Sequence, residues 1–169
     1  MTVFVALLRA VNVGGTGKLP MTELKAICEA AGFERVRTYI ASGNVVFDSG
    51  SSEAQVKAAL EQRLQAYAGK PIAVMVRTAA ELAAVLECNP FPNCNPSRVL
   101  ITFLDTPPVP EALQTVKHQR SEQLFLGKRE IYVNYGDGIG TSKLVVPAAK
   151  AGTARNVNTV RKLLALACV

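Results

Sequence analysis

At 169 residues, 49% hydrophobic and 19% charged, the chain is long enough for one domain or two small halves and too apolar to remain disordered. Its four cysteines (Cys28, Cys88, Cys94, Cys168) form no C-x-x-C pair and there is one histidine, His118, so no zinc-type ligand set is present and a reducing, cytoplasmic setting is expected. The formal net charge of +6 is uneven: residues 138–169 carry Lys143, Lys150, Arg155, Arg161 and Lys162 and no acid, which favours anionic partners.

No apolar run reaches the length of a membrane span, and no basic segment precedes an apolar one at the start, so neither a membrane segment nor a signal peptide is expected. Residues 3–8, VFVALL, are a continuous apolar run that reads as a strand at the centre of a sheet. Arg9 and Asn12 interrupt it, and Gly14, Gly15, Gly17 and Lys18 follow. A strand, a Gly-rich loop and a helix can present backbone N–H groups and a lysine to an anion. The formal phosphate motifs are absent: Gly17-Lys18 is followed by Leu19 rather than Ser or Thr, and Pro20 stands where a dinucleotide fingerprint needs glycine.

Leu24, Ile27, Cys28 and Ala31 recur at helical spacing, with Gly32 as a stop. Val36, Thr38 and Ile40 alternate as a strand, Ala41-Ser42-Gly43-Asn44 turns, and residues 45–47 return. Ser52 and Gln55 form a capping-box pattern for a helix marked by Val56, Leu60, Leu64 and Tyr67. Ile72, Val74 and Val76 make a fourth strand. The order βαββαβ over residues 2–77 is the ferredoxin-like split arrangement.

Residues 78–169 form the second part. Thr78 and Glu81 repeat the capping-box pattern before a helix through Leu82, Val85 and Leu86, which Asn89-Pro90-Phe91-Pro92 breaks. Residues 99–104 read as a strand, residues 111–116 as a short helix, and residues 124–126 with 131–133 as a hairpin. Gly136, Gly138 and Gly140 form a second Gly-rich loop, with Thr141 or Ser142 capping the turn that carries Lys143. A last helix is expected from about Ala154 to Ala167, with Arg155, Asn158, Thr159 and Lys162 on one polar stripe.

Four stretches together resemble the family called domain of unknown function 1697: ALLRAVNVGG at 6–15, YIASGNVVF at 39–47, IYVNYGDGIGTSKL at 131–144 and TARNVNTVRKL at 153–163, with NPF at 89–91 as a fifth. The resemblance implies a small bacterial-type α+β protein of two ferredoxin-like subdomains and brings no established activity. Two positions depart from the family pattern. Ala10 stands where the family usually has glycine, and Val157 where it usually has tryptophan, a side chain whose stacking role valine could not take over.

The fold class expected is α+β, with two ferredoxin-like subdomains at 1–77 and 78–169 and an open strand order in the second. Arg9, Asn12, Gly14, Gly15, Lys18, Ser42, Asn44, Lys143, Arg155 and Asn156 are the ligand-binding candidates, because arginine and lysine suit phosphate or carboxylate and the amides supply neutral donors and acceptors. Structural roles compete with these: an ion pair for Arg9, a tight turn for Asn44, a helix cap beside Lys143. The reading is a protein that binds an anionic ligand (nucleotide, phosphorylated metabolite or nucleic acid), with no cofactor called for. An enzyme acting on a small phosphorylated or carboxylated substrate and a protein-interaction module are the alternatives. No Ser–His–Asp set or paired-carboxylate motif supports catalysis, and the Lys-His-Gln-Arg context of His118 reads as exposed loop.

Overall fold

The computed structural model describes residues 1–13, 18–136 and 138–169. Its first sheet takes the strands β1 (Thr2–Leu8), β2 (Glu34–Tyr39), β3 (Asn44–Ser49) and β4 (Val74–Thr78) in the order β2-β3-β1-β4. Every neighbouring pair is antiparallel, and β1 is central, as its unbroken apolar run requires. Helices α1 (Met21–Ala30) and α2 (Glu53–Ala68) supply the two crossovers.

The core of this part collects Phe4, Ala6 and Leu8 from β1, Val45 and Phe47 from β3, and Leu24, Cys28, Val56, Leu60 and Leu64 from the helices. Phe33 stacks on Phe47 with ring centroids 4.3 Å apart. Ser52 and Gln55 close both hydrogen bonds of the capping box. Gly69 ends α2 with φ at +75°, the left-handed conformation glycine takes without penalty. Tyr67 departs from expectation: it belongs to the helical apolar pattern, but the last turn of α2 overruns the core and leaves the ring 46% exposed. Lys57 Nζ donates to Val74 O (2.7 Å) and Val74 N donates to Glu61 Oε2 (3.0 Å), so α2 grips the start of β4 directly.

The second sheet holds β5 (Val99–Phe103), β6 (Gln123–Leu126), β7 (Glu130–Asn134) and β8 (Thr153–Asn156) in the order β6-β7-β5-β8, again antiparallel throughout. Strand order therefore matches the first sheet. The crossovers do not: 3-10 turns at Ala112–Thr115, Ile139–Thr141 and Pro147–Ala149 stand where the first sheet has helices. Helix α3 (Ala79–Glu87) opens with the expected capping box, Glu81 N donating to Thr78 Oγ1 and Thr78 N to Glu81 Oε1.

The expected start of the last helix is corrected. Residues 153–156 are strand β8, paired with β5, and α4 spans Val157–Ala167. Arg155 is therefore a strand residue, and the polar stripe loses its first member. Thr159 lies nearly buried at 9% exposure, its N–H donating to Asn156 Oδ1. Sheet pairing prevails over helix pattern here because β5 needs a second neighbour for its backbone groups.

The chain divides into two compact units, Met1–Leu82 with Leu163–Val169, and Ala83–Lys162. In the first unit, the arginines of β2 hold the returning end of the chain: Arg37 Nη1 donates to Leu166 O, and Arg35 Nη1 to Val169 O at 3.0 Å. No described helix is long and apolar enough to cross a membrane.

Candidate functional site

Two loops meet at one corner of the first sheet. One leaves β1 after Leu8; the other joins β2 to β3. Leu8 N donates to Gly43 O at 2.8 Å. Asn12 then ties three points: its Nδ2 donates to Ala41 O (2.7 Å) and Leu19 O (2.8 Å), and its Oδ1 accepts from Leu19 N (2.7 Å). An amide is the side chain that can both donate and accept in this way. Asn44, fully buried, donates to Tyr39 O (2.8 Å) and Ser42 Oγ (2.9 Å), which fixes the second loop from inside.

Backbone strain concentrates at this corner. Ala10, Asn12 and Ile40 have φ of +56°, +54° and +51°. Asparagine tolerates the left-handed region; a β-branched isoleucine rarely does, and alanine gains nothing from it. Gly43, at φ +89°, is required twice over, because a Cβ there would lie 2.6 Å from Val11 Cγ2. Non-glycine residues held in such conformations persist only where their surroundings impose them, and they gather at functional sites.

Val11 and Leu19 line an open depression of about 480 Å³. Its apolar lining comes from buried Val11, Leu19 and Ile72; its exposed groups are Lys18, Lys70 and the Tyr67 ring. Two ammonium groups beside an apolar floor suit an anion that carries an apolar or planar part. Lys18 was legible in the sequence. Tyr67 and Lys70 were not, since one lies in a core-type helical pattern and the other follows a helix-ending glycine; the signal was Lys70 between Gly69 and Pro71, a rigid turn bearing a cation.

Arg9 is exposed just past β1, its N–H donating to Ala73 O at 3.0 Å beside the Ile72 wall. Gly14 and Gly15 lie outside the described residues. The candidates of the second unit serve that unit's own architecture. Asn156 is the cap of α4. Arg155 is 7% exposed, and its Nη1 donates to Thr153 Oγ1 (2.8 Å) and Ala154 O (2.9 Å). Burial brings its guanidinium down to about 10. Lys143 is exposed next to Ser142, whose hydroxyl donates to Glu122 Oε2 at 2.5 Å. That bond, with Arg120 N donating to Oε1, holds the Glu122 carboxyl below its ordinary range. Val157 is 1% exposed, a core position with no face for stacking.

Among the described residues no group of three or more His, Cys, Asp or Glu side chains could hold a metal ion. Cys28 is an inert core thiol: burial, aided by Glu29, pushes it up to about 12.

Among the described residues, two antiparallel four-stranded sheets and four helices define an α+β protein. The sequence profile of the family described as protein of unknown function (DUF1697) matches residues 1–132, and the chain belongs to that family. A solved structure, that of a conserved bacterial protein from Streptococcus pneumoniae, is similar over 98% of both chains at 25% identity, with a TM-score of 0.81. No curated protein matches.

Proposed function

We propose that the protein binds a small anionic molecule, a phosphorylated or carboxylated metabolite of about nucleotide size, in the depression of the first unit. The observation that carries this reading is the placement of Lys18 and Lys70 on one concavity floored by Val11, Leu19 and Ile72. Asn12 is the positioning residue, since it fixes Leu19 from both backbone sides. Lys18 keeps the role the sequence suggested for it. Arg155 and Asn156 are left out, each being engaged in the second sheet or its helix cap. Nucleic acid is the weaker ligand class: burial of Arg155 withdraws one of the five C-terminal cations from the surface, and phosphate-tracking surfaces depend on exposed charge.

Calorimetric titration with inorganic phosphate and adenosine monophosphate tests the proposal. Lys18→Ala and Lys70→Ala are each expected to weaken binding about tenfold, the loss of roughly one charge-assisted contact. Binding unchanged in both variants would overturn it.

A further inference from the structure

A second, smaller depression of about 200 Å³ shares the lining residue Ile72 with the first. Its polar lining differs in kind. Where the first offers two lysines, the second offers Glu61 and Gln65, one helical turn apart on α2. Glu61 commits Oε2 to Lys57 Nζ (2.9 Å) and Val74 N (3.0 Å), which anchors the carboxylate in place. Pro71 and Ala73 complete the wall.

A carboxylate repels an anion placed directly against it, so an anion held by the lysines must turn a different group toward Glu61. That group must donate to a carboxylate and also suit an amide. A pair of hydroxyls on adjacent carbons does both: one donates to Glu61, and the other exchanges hydrogen bonds with the Gln65 amide. Resting on the anion-binding reading above, we infer that the two depressions form one site for a sugar phosphate, with the phosphate at Lys18 and Lys70 and the sugar diol at Glu61 and Gln65. A free pentose phosphate and a nucleoside monophosphate share this chemistry. They differ in whether a base is present to lie on Tyr67, since aromatic rings accept stacked bases.

Titration of the intact protein with inorganic phosphate, ribose 5-phosphate, adenosine monophosphate and its 2′-deoxy analogue separates the outcomes. Ribose 5-phosphate is expected to bind at least about tenfold tighter than phosphate, and the 2′-deoxy nucleotide weaker than its parent by a similar factor. Glu61→Gln, which keeps an acceptor for Val74 N, and Gln65→Ala are expected to reduce the preference for ester over phosphate to within about threefold without weakening phosphate binding. Stronger binding of adenosine monophosphate than of ribose 5-phosphate, lost in Tyr67→Ala, identifies the nucleotide as the source of the sugar phosphate. Equal affinity for phosphate and ribose 5-phosphate, or a preference that survives both variants, overturns the inference and leaves the anion site standing. Absence of binding by every probe overturns both.

Discussion

The first sheet runs β2-β3-β1-β4 and the second β6-β7-β5-β8, so successive strands of each unit occupy matching places. Helices of 10 and 16 residues cross the first sheet where the second has 3-10 turns of 3 or 4 residues. The likeness extends to a row of residues. Arg37, Val46, Val5 and Arg77 lie across the first sheet as Phe125, Tyr132, Ile101 and Arg155 lie across the second. Each row ends on a buried arginine of the fourth strand. In each case the next residue, Thr78 or Asn156, caps the helix that follows. Strand order is thus set by which strands carry the apolar runs, while the crossovers follow local chemistry. Proline at 107, 108, 110 and 147 and glycine at 136, 138 and 140 keep long helices out of the crossovers of the second sheet. In the first unit the last turn of α2 supplies Tyr67 and Ala68 to the wall of the depression.

The difference predicts unequal tolerance to substitution. Gly152 precedes β8, and a Cβ there would lie 2.5 Å from Phe103 O, a backbone atom that cannot yield without moving β5. Gly152→Ala is expected to cost about 3 kcal/mol or more in denaturant unfolding. Gly43→Ala meets the side chain of Val11 and a positive φ, a smaller penalty of about 2 kcal/mol. The reverse order would break the comparison, placing the tighter construction in the first unit.

Alkaline pH sharpens it. Cys28, in the core of the first unit, stays protonated when folded, with its pKa raised from 9.0 to about 12. Once unfolded, the thiol loses its proton near its ordinary value, so the unfolded state binds fewer protons above that pH. Its contribution is fully present below about pH 9 and is lost between about pH 9 and 12, at about 1.4 kcal/mol per pH unit. Cys28→Ala is expected to flatten the stability slope between about pH 9 and 10. An unchanged slope would assign alkaline sensitivity elsewhere. The smallest effect concerns Ala10, held at φ +56°. Ala10→Gly is expected to stabilise the chain by about 0.5–1 kcal/mol net, visible as a higher denaturant midpoint; destabilisation would show that the methyl group packs usefully.

Much of the first unit was legible in residues 1–77. The alternation of Val36 and Thr38, the Ser52–Gln55 box and the unbroken run in β1 each state their element locally. The second unit hid β8, because Val157, Val160 and Leu163 continue a helical pattern that says nothing of where it begins. Pairing with β5 decides that, and pairing is a long-range fact. For the site, Lys18 was visible beside its glycines. Asn12 and Asn44 were singled out by composition, but their work on backbone groups of distant loops depends on a chain path that no local pattern records. Tyr67 was hidden for a related reason: helical spacing shows the face, not where the core ends.

The most direct test of the central claim, that the first unit holds the anion site, is a backbone-amide NMR titration of the intact protein with inorganic phosphate. The structure predicts saturable shifts at Lys18, Leu19, Lys70 and Ile72 with the second sheet unmoved. Shifts confined to the residues around Lys143, or none anywhere, would contradict it.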